Sequence, residues 1–237
     1  MIEKIDISCV LGAVDETDSL VQTVETVISG NNILNNLEIL IVLAPFATNE
    51  TKHIANTLER NFTEVRLIHQ QNKGIGGAYQ QGFENAKGEI VILMSSDLET
   101  DPHLVGPMVH IIQENQNIDI VTVSRWLKAN SFSKYPLVAK ILNYAFQKLA
   151  QKLFMSELSD FTYAFRAYRK NILQDIVWEE SSHSFFLESL LKPLIKGARI
   201  QEIPGVWVKR SQGERHISIS SYLHYVKLLI RMKFSWS

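Results

Sequence analysis

The chain has 237 residues, 46% hydrophobic and 21% charged, with 24 Lys+Arg against 25 Asp+Glu. That length supports one domain with a sizeable core, and the composition excludes a disordered or fibrous chain. A net charge of −1 gives no global steering toward nucleic acid, so no nucleic-acid partner is expected and any phosphate binding must come from a local cluster.

The first half alternates short apolar runs with amphipathic stretches. Strands are expected at Ile5–Leu11, Leu37–Leu43, Glu64–His69 and Glu89–Met94. Between them, helices are expected at Ser19–Ser29, with Leu20, Val24, Val27 and Ile28 at helical spacing and Gly30 closing it, then at Thr48–Asn61, capped by Thr48 or Asn49, and at Gly77–Ala86, closed by Gly88. Short, nearly all-apolar strands separated by helices predict an α/β fold with a mostly parallel central sheet flanked by helices. Ligands of such sheets bind beyond the carboxyl ends of the strands. The loops to search are therefore Gly12–Asp18, Leu43–Thr48, Gln70–Gly77 and Ser95–Pro102.

The second half is less regular. Helices are expected at Pro102–Asn115, Leu137–Phe154 and Phe185–Gly197, and strands at Asp119–Ser124 and Arg199–Ile203, followed by Trp207–Arg210. Residues 1–215 read as one domain and 216–237 as a C-terminal amphipathic helix or tail. The single cysteine, Cys9, excludes an intrachain disulfide and a cysteine-built metal site. The N-terminus carries no basic region followed by a long apolar run, and no stretch reaches the ~18–20 apolar residues of a spanning helix. A cytoplasmic chain is expected, with any membrane contact peripheral. Basic amphipathic stretches at Phe132–Phe154 and Tyr222–Trp236 are the candidates for such contact at the inner face of a membrane, against ordinary packing on the domain.

The strongest chemical signal is Met94-Ser95-Ser96-Asp97-Leu98-Glu99-Thr100-Asp101-Pro102, directly after a buried strand. In a turn past a strand end, Asp97 and Glu99 can converge on one cation. Mg²⁺ and Mn²⁺ take oxygen ligands and accept substrate phosphates as the others. Capping of the helix at Pro102 by Thr100 or Asp101 leaves Asp97 and Glu99 unexplained. The second signal is Gln71-Asn72-Lys73-Gly74-Ile75-Gly76-Gly77-Ala78, between a strand and a helix. Glycines there let backbone N–H groups approach an anion at a helix start. The motif is half a dinucleotide fingerprint, with Tyr79 in place of the last glycine. The third is basic: Arg125, Arg166, Arg169, Arg210 and Arg215, of which Arg125 follows a strand and points at the same sheet end.

Taken in order, these segments resemble family-2 glycosyltransferases, and among them the dolichyl-phosphate mannose synthases and bacterial polyprenyl-phosphate sugar transferases. The matching residues are Gly74-Ile75-Gly76-Gly77-Ala78, Gly82, Ala86-Lys87-Gly88-Glu89, Met94-Ser95-Ser96-Asp97-Leu98 and Pro102, then Ser124-Arg125-Trp126, Asp160-Phe161-Thr162-Tyr163-Ala164-Phe165-Arg166-Ala167-Tyr168, Phe185-Phe186-Leu187-Glu188, Gly197, Glu202-Ile203-Pro204 and Arg210-Ser211-Gln212-Gly213-Glu214. The resemblance implies a GT-A fold, a nucleotide-sugar donor and inversion at the anomeric carbon. It implies that Asp97 and Glu99 hold Mg²⁺ or Mn²⁺ and that Arg125 and Arg166 meet phosphates. It also implies that Glu188 faces the acceptor and that Arg210 belongs to a loop closing over the donor. Lys73, Gly74 and Gly76 fall on the donor side.

The sequence departs from the family pattern twice. Ser95 stands where the metal motif D-x-D has its first acid, and Leu43-Ala44-Pro45-Phe46-Ala47 stands where D-D-G-S reads the nucleobase. Asp15 and Glu16 remain for nucleoside contact. A lipid-phosphate acceptor, already ionised, needs positioning only. A saccharide hydroxyl needs a base, for which Glu188 is first and Asp160 second. The alternatives are a GT-A-shaped protein that binds sugar or nucleotide without catalysis, motivated by Ser95 and Leu43, and a nicotinamide-dependent oxidoreductase resting on the glycine loop alone.

Overall fold

The computed structural model describes residues 7–30, 36–132, 135–209 and 219–235. In chain order it contains β1 (Ile7–Ala13), α1 (Asp18–Ser29), β2 (Leu37–Leu43), α2 (Asn49–Asn61), β3 (Val65–His69), α3 (Gly74–Asn85), β4 (Ile90–Met94) and a 3-10 turn (Pro102–Leu104). There follow α4 (Val105–Glu114), β5 (Ile120–Ser124), α5 (Leu137–Phe154), β6 (Arg166–Arg169), α6 (Lys170–Leu173), α7 (Phe185–Ile195), β7 (Ile200–Pro204) and α8 (Ile219–Ser235).

The strands form one seven-stranded sheet in the order β3-β2-β1-β4-β6-β5-β7. β1, β2, β3 and β4 run parallel, as do β5 and β7, while β6 is antiparallel to both its neighbours. The order reverses between β1 and β4. At such a switch point the two connections leave to opposite sides and a crevice opens past the carboxyl ends. Because β6 runs the other way, its amino end, preceded by residues 160–165, lies at that same edge.

Side chains alternate across each strand, so the sheet feeds two apolar layers. Cys9, Leu11, Ile39, Ile41, Ile92 and Met94 pack one face against residues of α1, α2 and α4. Val10, Leu40, Val42, Val91 and Leu93 pack the other against Tyr79 and Phe83 of α3 and Phe185 of α7. Burial first, and then the Glu38 charge, push the Cys9 thiol up to about 12, so it is an unreactive core residue. A third cluster joins α5, α7 and α8 through Phe146, Ala150, Leu187, Leu191, Leu228 and Met232. The expected boundary at 215/216 falls outside the described residues; α8 itself shares this core.

Several expectations are corrected. α3 starts at Gly74 rather than Gly77 and is closed by Ala86. Gly88 is no helix cap, and its N–H donates to Ser8 Oγ at 2.7 Å. The expected helix at Pro102 opens as a 3-10 turn capped by Asp101, whose carboxylate accepts from the His103 N–H at 3.0 Å. The described residues of Trp207–Arg210 form no strand. Instead the Trp207 N–H donates to Ser131 O at 3.1 Å. β6 was not expected, because a four-residue segment with arginine at both ends carries no apolar periodicity.

α3 lies close on β1, and a Cβ at Gly82 would meet Val10 Cγ1 at 2.2 Å. Replacing Gly82 by Ala gains up to ~1 kcal/mol of helix propensity but overpacks this contact by about 1–3 kcal/mol. A lower urea midpoint with an unchanged slope is expected for Gly82→Ala. An unchanged or raised midpoint would show that the helix moves away without cost.

Candidate active site at the carboxyl ends of the strands

Past β1 the chain turns sharply on itself. The N–H groups of Val14 and Asp15 donate to Glu16 Oε2 at 2.7 and 3.2 Å, and the turn is tied to β2 and α2 by Ala44 N–H to Ala13 O and Thr48 N–H to Val14 O. Asp15 is exposed and Glu16 half-buried. Burial above all, then the charges of Asp15 and Asp97, raise the Glu16 carboxyl above its ordinary value, against the hydrogen bonds from the backbone. β1 and β4 are neighbouring parallel strands and Ser96 Oγ donates to Gly12 O, which sets the loop carrying Asp97 beside the turn carrying Glu16.

The acidic loop after β4 is tightly braced. Met94 O accepts from the Tyr79 hydroxyl at 2.9 Å, Ser96 Oγ donates to Gly12 O at 2.5 Å, and Ser95 and Thr100 hydroxyls bond at 3.1 Å. Asp97 Oδ1 accepts the Glu99 N–H at 3.0 Å, and the residue between them, Leu98, has φ of 59°. A leucine in the left-handed region is strained and persists only where the surroundings hold it. Tyr163 does so from the far side: its hydroxyl donates to Glu99 O at 2.7 Å. Burial, and less so the carboxylates of Asp160, Glu99 and Asp97, raise the Tyr163 phenol, keeping it a neutral donor.

Among the described residues no three His, Cys, Asp or Glu side chains are grouped to hold a metal unaided. Asp97 and Glu99 flank one turn, and Asp97 adds to a local excess of negative charge at Glu16. Two carboxylates beside an acidic neighbour suit Mg²⁺ or Mn²⁺, which keep several positions for water and phosphate oxygens. Asp97 and Glu99 are the two loop carboxylates that could take a cation, with its remaining positions left to a ligand and water.

The glycine loop has a different role from the one expected. Gly74 has φ of 74°, and Cβ atoms at Gly74 and Gly76 would meet Ser181 O at 2.2 Å and Glu180 O at 2.3 Å. The Gly76 N–H donates to Ser181 O at 2.8 Å. The close backbone approach that these glycines permit is taken by residues 180–181 of the same chain, not left open to a phosphate. Lys73 is exposed just before α3 and remains accessible.

Arg125 and Asp160 are brought together, but with each other. Arg125 Nε and Nη2 donate to the two Asp160 oxygens at 2.7 and 2.9 Å, Nη2 also bonds Thr162 Oγ1 at 3.0 Å, and the guanidinium stacks over Phe132 and Tyr163. Both residues are buried. Burial alone would push the Asp160 carboxyl up. The Arg125 charge and hydrogen bonds, with N–H groups of Arg125 and Thr162, overcome burial and hold it below the ordinary carboxylate range. An ionised, fully bonded carboxylate makes a poor base, so the expected role of Asp160 as base is corrected to fixing Arg125.

Arg166 does not meet phosphates. It is fully buried and donates to Thr122 Oγ1, Phe186 O, Ser189 Oγ and Phe161 O. Glu188 does not face an acceptor either. Its buried carboxylate pairs with Lys192 at 2.7 Å and accepts the N–H groups of Glu179 and Glu180, each at 2.9 Å. A base needs an accessible lone pair, and these contacts occupy the carboxylate from three directions. Arg210 lies outside the described residues.

Four residues that sequence reasoning missed complete the site. Asn143 and Gln147 of α5 reach inward to Trp126 Nε1 and Thr162 Oγ1, and Tyr163 holds the acidic loop. Their signal was the polar pair spaced i, i+4 on an otherwise apolar helix. Phe46, just past β2, is 70% exposed and offers an aromatic face at the strand end where the family pattern has an acid.

The Arg125–Asp160 pair yields a pH prediction. Asp160 has a lower pKa folded than unfolded. Its contribution is present above the unfolded value of about 3.9 and is lost as pH falls through the folded value. Asp160→Asn leaves Arg125 buried without its partner and is expected to cost about 3–5 kcal/mol. Melting curves from neutral pH down to about pH 2 should show a large loss at neutral pH and a shallower acid decline for the variant. A variant with the wild-type acid decline would remove Asp160 from the account.

Known proteins share this fold. The glucosyl-3-phosphoglycerate synthase of Mycobacterium tuberculosis, solved with Mn²⁺, UDP-glucose and phosphoglyceric acid, superposes with a TM-score of 0.71 at 16% identity, over 98% of this chain and 79% of that one. The shared fold is the expected GT-A arrangement. Dolichol-phosphate mannosyltransferase of Pyrococcus furiosus is 20% identical over 195 residues, 81% of this chain and 54% of that protein. A glycosyltransferase of Haloferax volcanii is 26% identical over 86% of this chain and 33% of that protein. Undecaprenyl-phosphate mannosyltransferase of Micrococcus luteus is 25% identical over 69% of each. The chain thus spans about half the length of the first of these relatives and a third of the second. The family model described as glycosyl transferase family 2 matches residues 8–177, from β1 through the acidic loop to α6. This covers well over half of the sequence, and the chain belongs to glycosyl transferase family 2.

Proposed function

We propose that this chain transfers a sugar from a nucleotide-sugar donor to an acceptor oxygen, with inversion at the anomeric carbon and with Mg²⁺ or Mn²⁺ at the acidic loop. The observation that carries this reading is the pairing of two acidic turns across the switch point, Asp15 and Glu16 past β1 and Asp97 and Glu99 past β4. A nucleoside diphosphate placed there has its phosphates against the acidic loop, where Asp97 and Glu99 would hold the cation. The bound cation would supply charge stabilisation for the departing diphosphate.

The remaining steps belong to the chain's own residues. Asp15 is exposed for a ribose hydroxyl, and Phe46 presents a face on which a nucleobase stacks. Lys73 meets phosphate from the start of α3. The acceptor oxygen attacks the anomeric carbon from the side opposite the diphosphate. A new C–O bond forms as the old one breaks, and its electron pair leaves with the nucleoside diphosphate.

The acceptor reading follows from the bases that are not available. Asp160 and Glu188 are both buried and fully bonded. A lipid phosphate carries its own negative charge and has no proton to give up, so positioning suffices. This favours a lipid-phosphate acceptor over a saccharide hydroxyl. The names of the Pyrococcus and Micrococcus relatives, which act on dolichol and undecaprenyl phosphates, support the same choice.

Turnover of a panel of nucleotide sugars, with a polyprenyl phosphate or a free saccharide and with Mn²⁺ or a chelator, tests the proposal. Metal-dependent transfer to the lipid phosphate is expected, falling about 10²–10³-fold in Asp97→Ala. Phe46→Ala is expected to raise the donor KM roughly tenfold, from the ~1–3 kcal/mol of one aromatic–base stack, with kcat little changed. Binding of a nucleoside diphosphate without turnover of any donor would overturn catalysis in favour of a binding protein. Turnover by Asp97→Ala at the wild-type rate would remove the metal assignment.

A further inference from the structure

α5 is apolar on both sides: Phe146 and Ala150 pack inward on the core, and a second apolar face is turned to solvent. Asn143 and Gln147 point inward, to Trp126 Nε1 at 3.2 Å and Thr162 Oγ1 at 3.0 Å. Leu137 and Val138 are 71% and 70% exposed, and Ile141 and Leu142 are exposed beside them. At 100° per residue, Leu137, Val138, Ile141, Leu142 and Ala145 fall on one outward arc, and Lys148 and Lys152 continue it in the later turns. Such a face is costly in water and is a usual mark of an interaction site.

α8 lies beside α5, joined by the Phe146–Tyr225 ring contact and by burial of Leu228, Leu229 and Met232. Its outward residues repeat the pattern: Leu223, Ile230 and Phe234 are exposed, with Lys227 among them. Neither helix contains an aspartate or glutamate. Their charges are Lys140, Lys148, Lys152, Lys227, Arg231 and Lys233, all positive, in a chain whose totals are 24 Lys+Arg against 25 Asp+Glu. Arg231 is spent on Glu180 at 2.8 Å, and the lysine ammoniums at 148 and 233 sit over the rings of Tyr144 and Phe154.

We propose that the outer faces of α5 and α8 together dock on the surface of an anionic lipid bilayer. The apolar residues enter the headgroup–acyl boundary, and the lysines lie at the level of the lipid phosphates. The charge pattern selects this occupant. A second copy, related by a two-fold axis, would set the same lysines against one another. Among the described residues no helix is long and apolar enough to cross a membrane, so the contact lies along the surface. The docking face borders the candidate site: Lys140 lies over the Phe132 ring, which itself packs under Arg125. A substrate carried in the bilayer would be presented at the carboxyl end of the sheet. The docking itself holds whatever the acceptor proves to be.

Vesicle flotation of the full chain tests this, using phosphatidylcholine alone and phosphatidylcholine with ~30% phosphatidylglycerol. Binding to the anionic vesicles is expected, at least about tenfold weaker on neutral ones and reversed by ~0.5 M salt. The double variant Ile141→Glu, Leu142→Glu should lose binding while keeping its melting midpoint, because both side chains are exposed. Lys148→Glu with Lys152→Glu should weaken binding about tenfold on anionic vesicles only. Absence of flotation, or equal binding to both vesicle types, would overturn the proposal. So would light scattering that shows a dimer split by the Ile141→Glu, Leu142→Glu pair, since the occupant would then be a second copy. Donor turnover is not read here, so failure of this proposal leaves the transferase reading to its own assay.

Discussion

A cation taken out of water must be ion-paired or saturated with hydrogen bonds, or the fold loses several kcal/mol, and that constraint organises everything after β4. Arg166, Arg125 and Lys192 are all buried. Arg166 binds Thr122 of β5, Phe161, and Phe186 and Ser189 of α7, which fixes β6 between β4 and β5 and seats α7 on the sheet. Lys192 pairs with Glu188, whose oxygens hold the N–H groups of Glu179 and Glu180. That segment in turn presses its carbonyls on Gly74 and Gly76 at the start of α3. Two residues that the family resemblance places at substrate are thus the supports of the wall beside it. Loss of one partner of such a pair costs about 3–5 kcal/mol, a large share of the ~5–15 kcal/mol that holds a domain together.

The first half of the fold was legible because its signals are local. Apolar runs such as Leu37-Glu38-Ile39-Leu40-Ile41-Val42-Leu43 bury both faces of a parallel strand, and the Thr48 cap marks the next helix. β6 was not legible. Its Arg166 reads as a surface charge until the partners from β5 and α7, distant in sequence, are in place. The same limit explains the site. The placement of Asp97 and Glu99 past a strand end was readable from an apolar run followed by an acidic turn, and their metal role is the one proposed above. The engagement of Arg125 with Asp160, and of the glycine loop with residues 180–181, rests on contacts between segments far apart in the chain. Spacing along a sequence says which residues share a turn; it does not say whether a charged group meets a ligand or another side chain.

The site has a compact division of labour. The switch point supplies an acidic pocket edge, with strain stored at Leu98 and clamped by Tyr163. The Arg125–Asp160–Thr162 network, buttressed from α5 by Gln147, fixes the wall beside it. Ser95, which stands in place of an acid, braces the loop through Thr100 instead of adding a ligand. In the proposed reading, where Asp97 and Glu99 would hold a cation with few other carboxylates, metal and diphosphate should bind cooperatively, each completing what the other lacks.

That coupling is the most direct test of the account. Calorimetric titration of Mn²⁺ into the protein, with and without a saturating nucleoside diphosphate, measures it. Weak binding of the metal alone, tightened at least about tenfold by the diphosphate and abolished in Asp97→Ala, is the predicted result. Equal Mn²⁺ affinity with and without every nucleoside diphosphate tried, or coupling that survives Asp97→Ala, would contradict it.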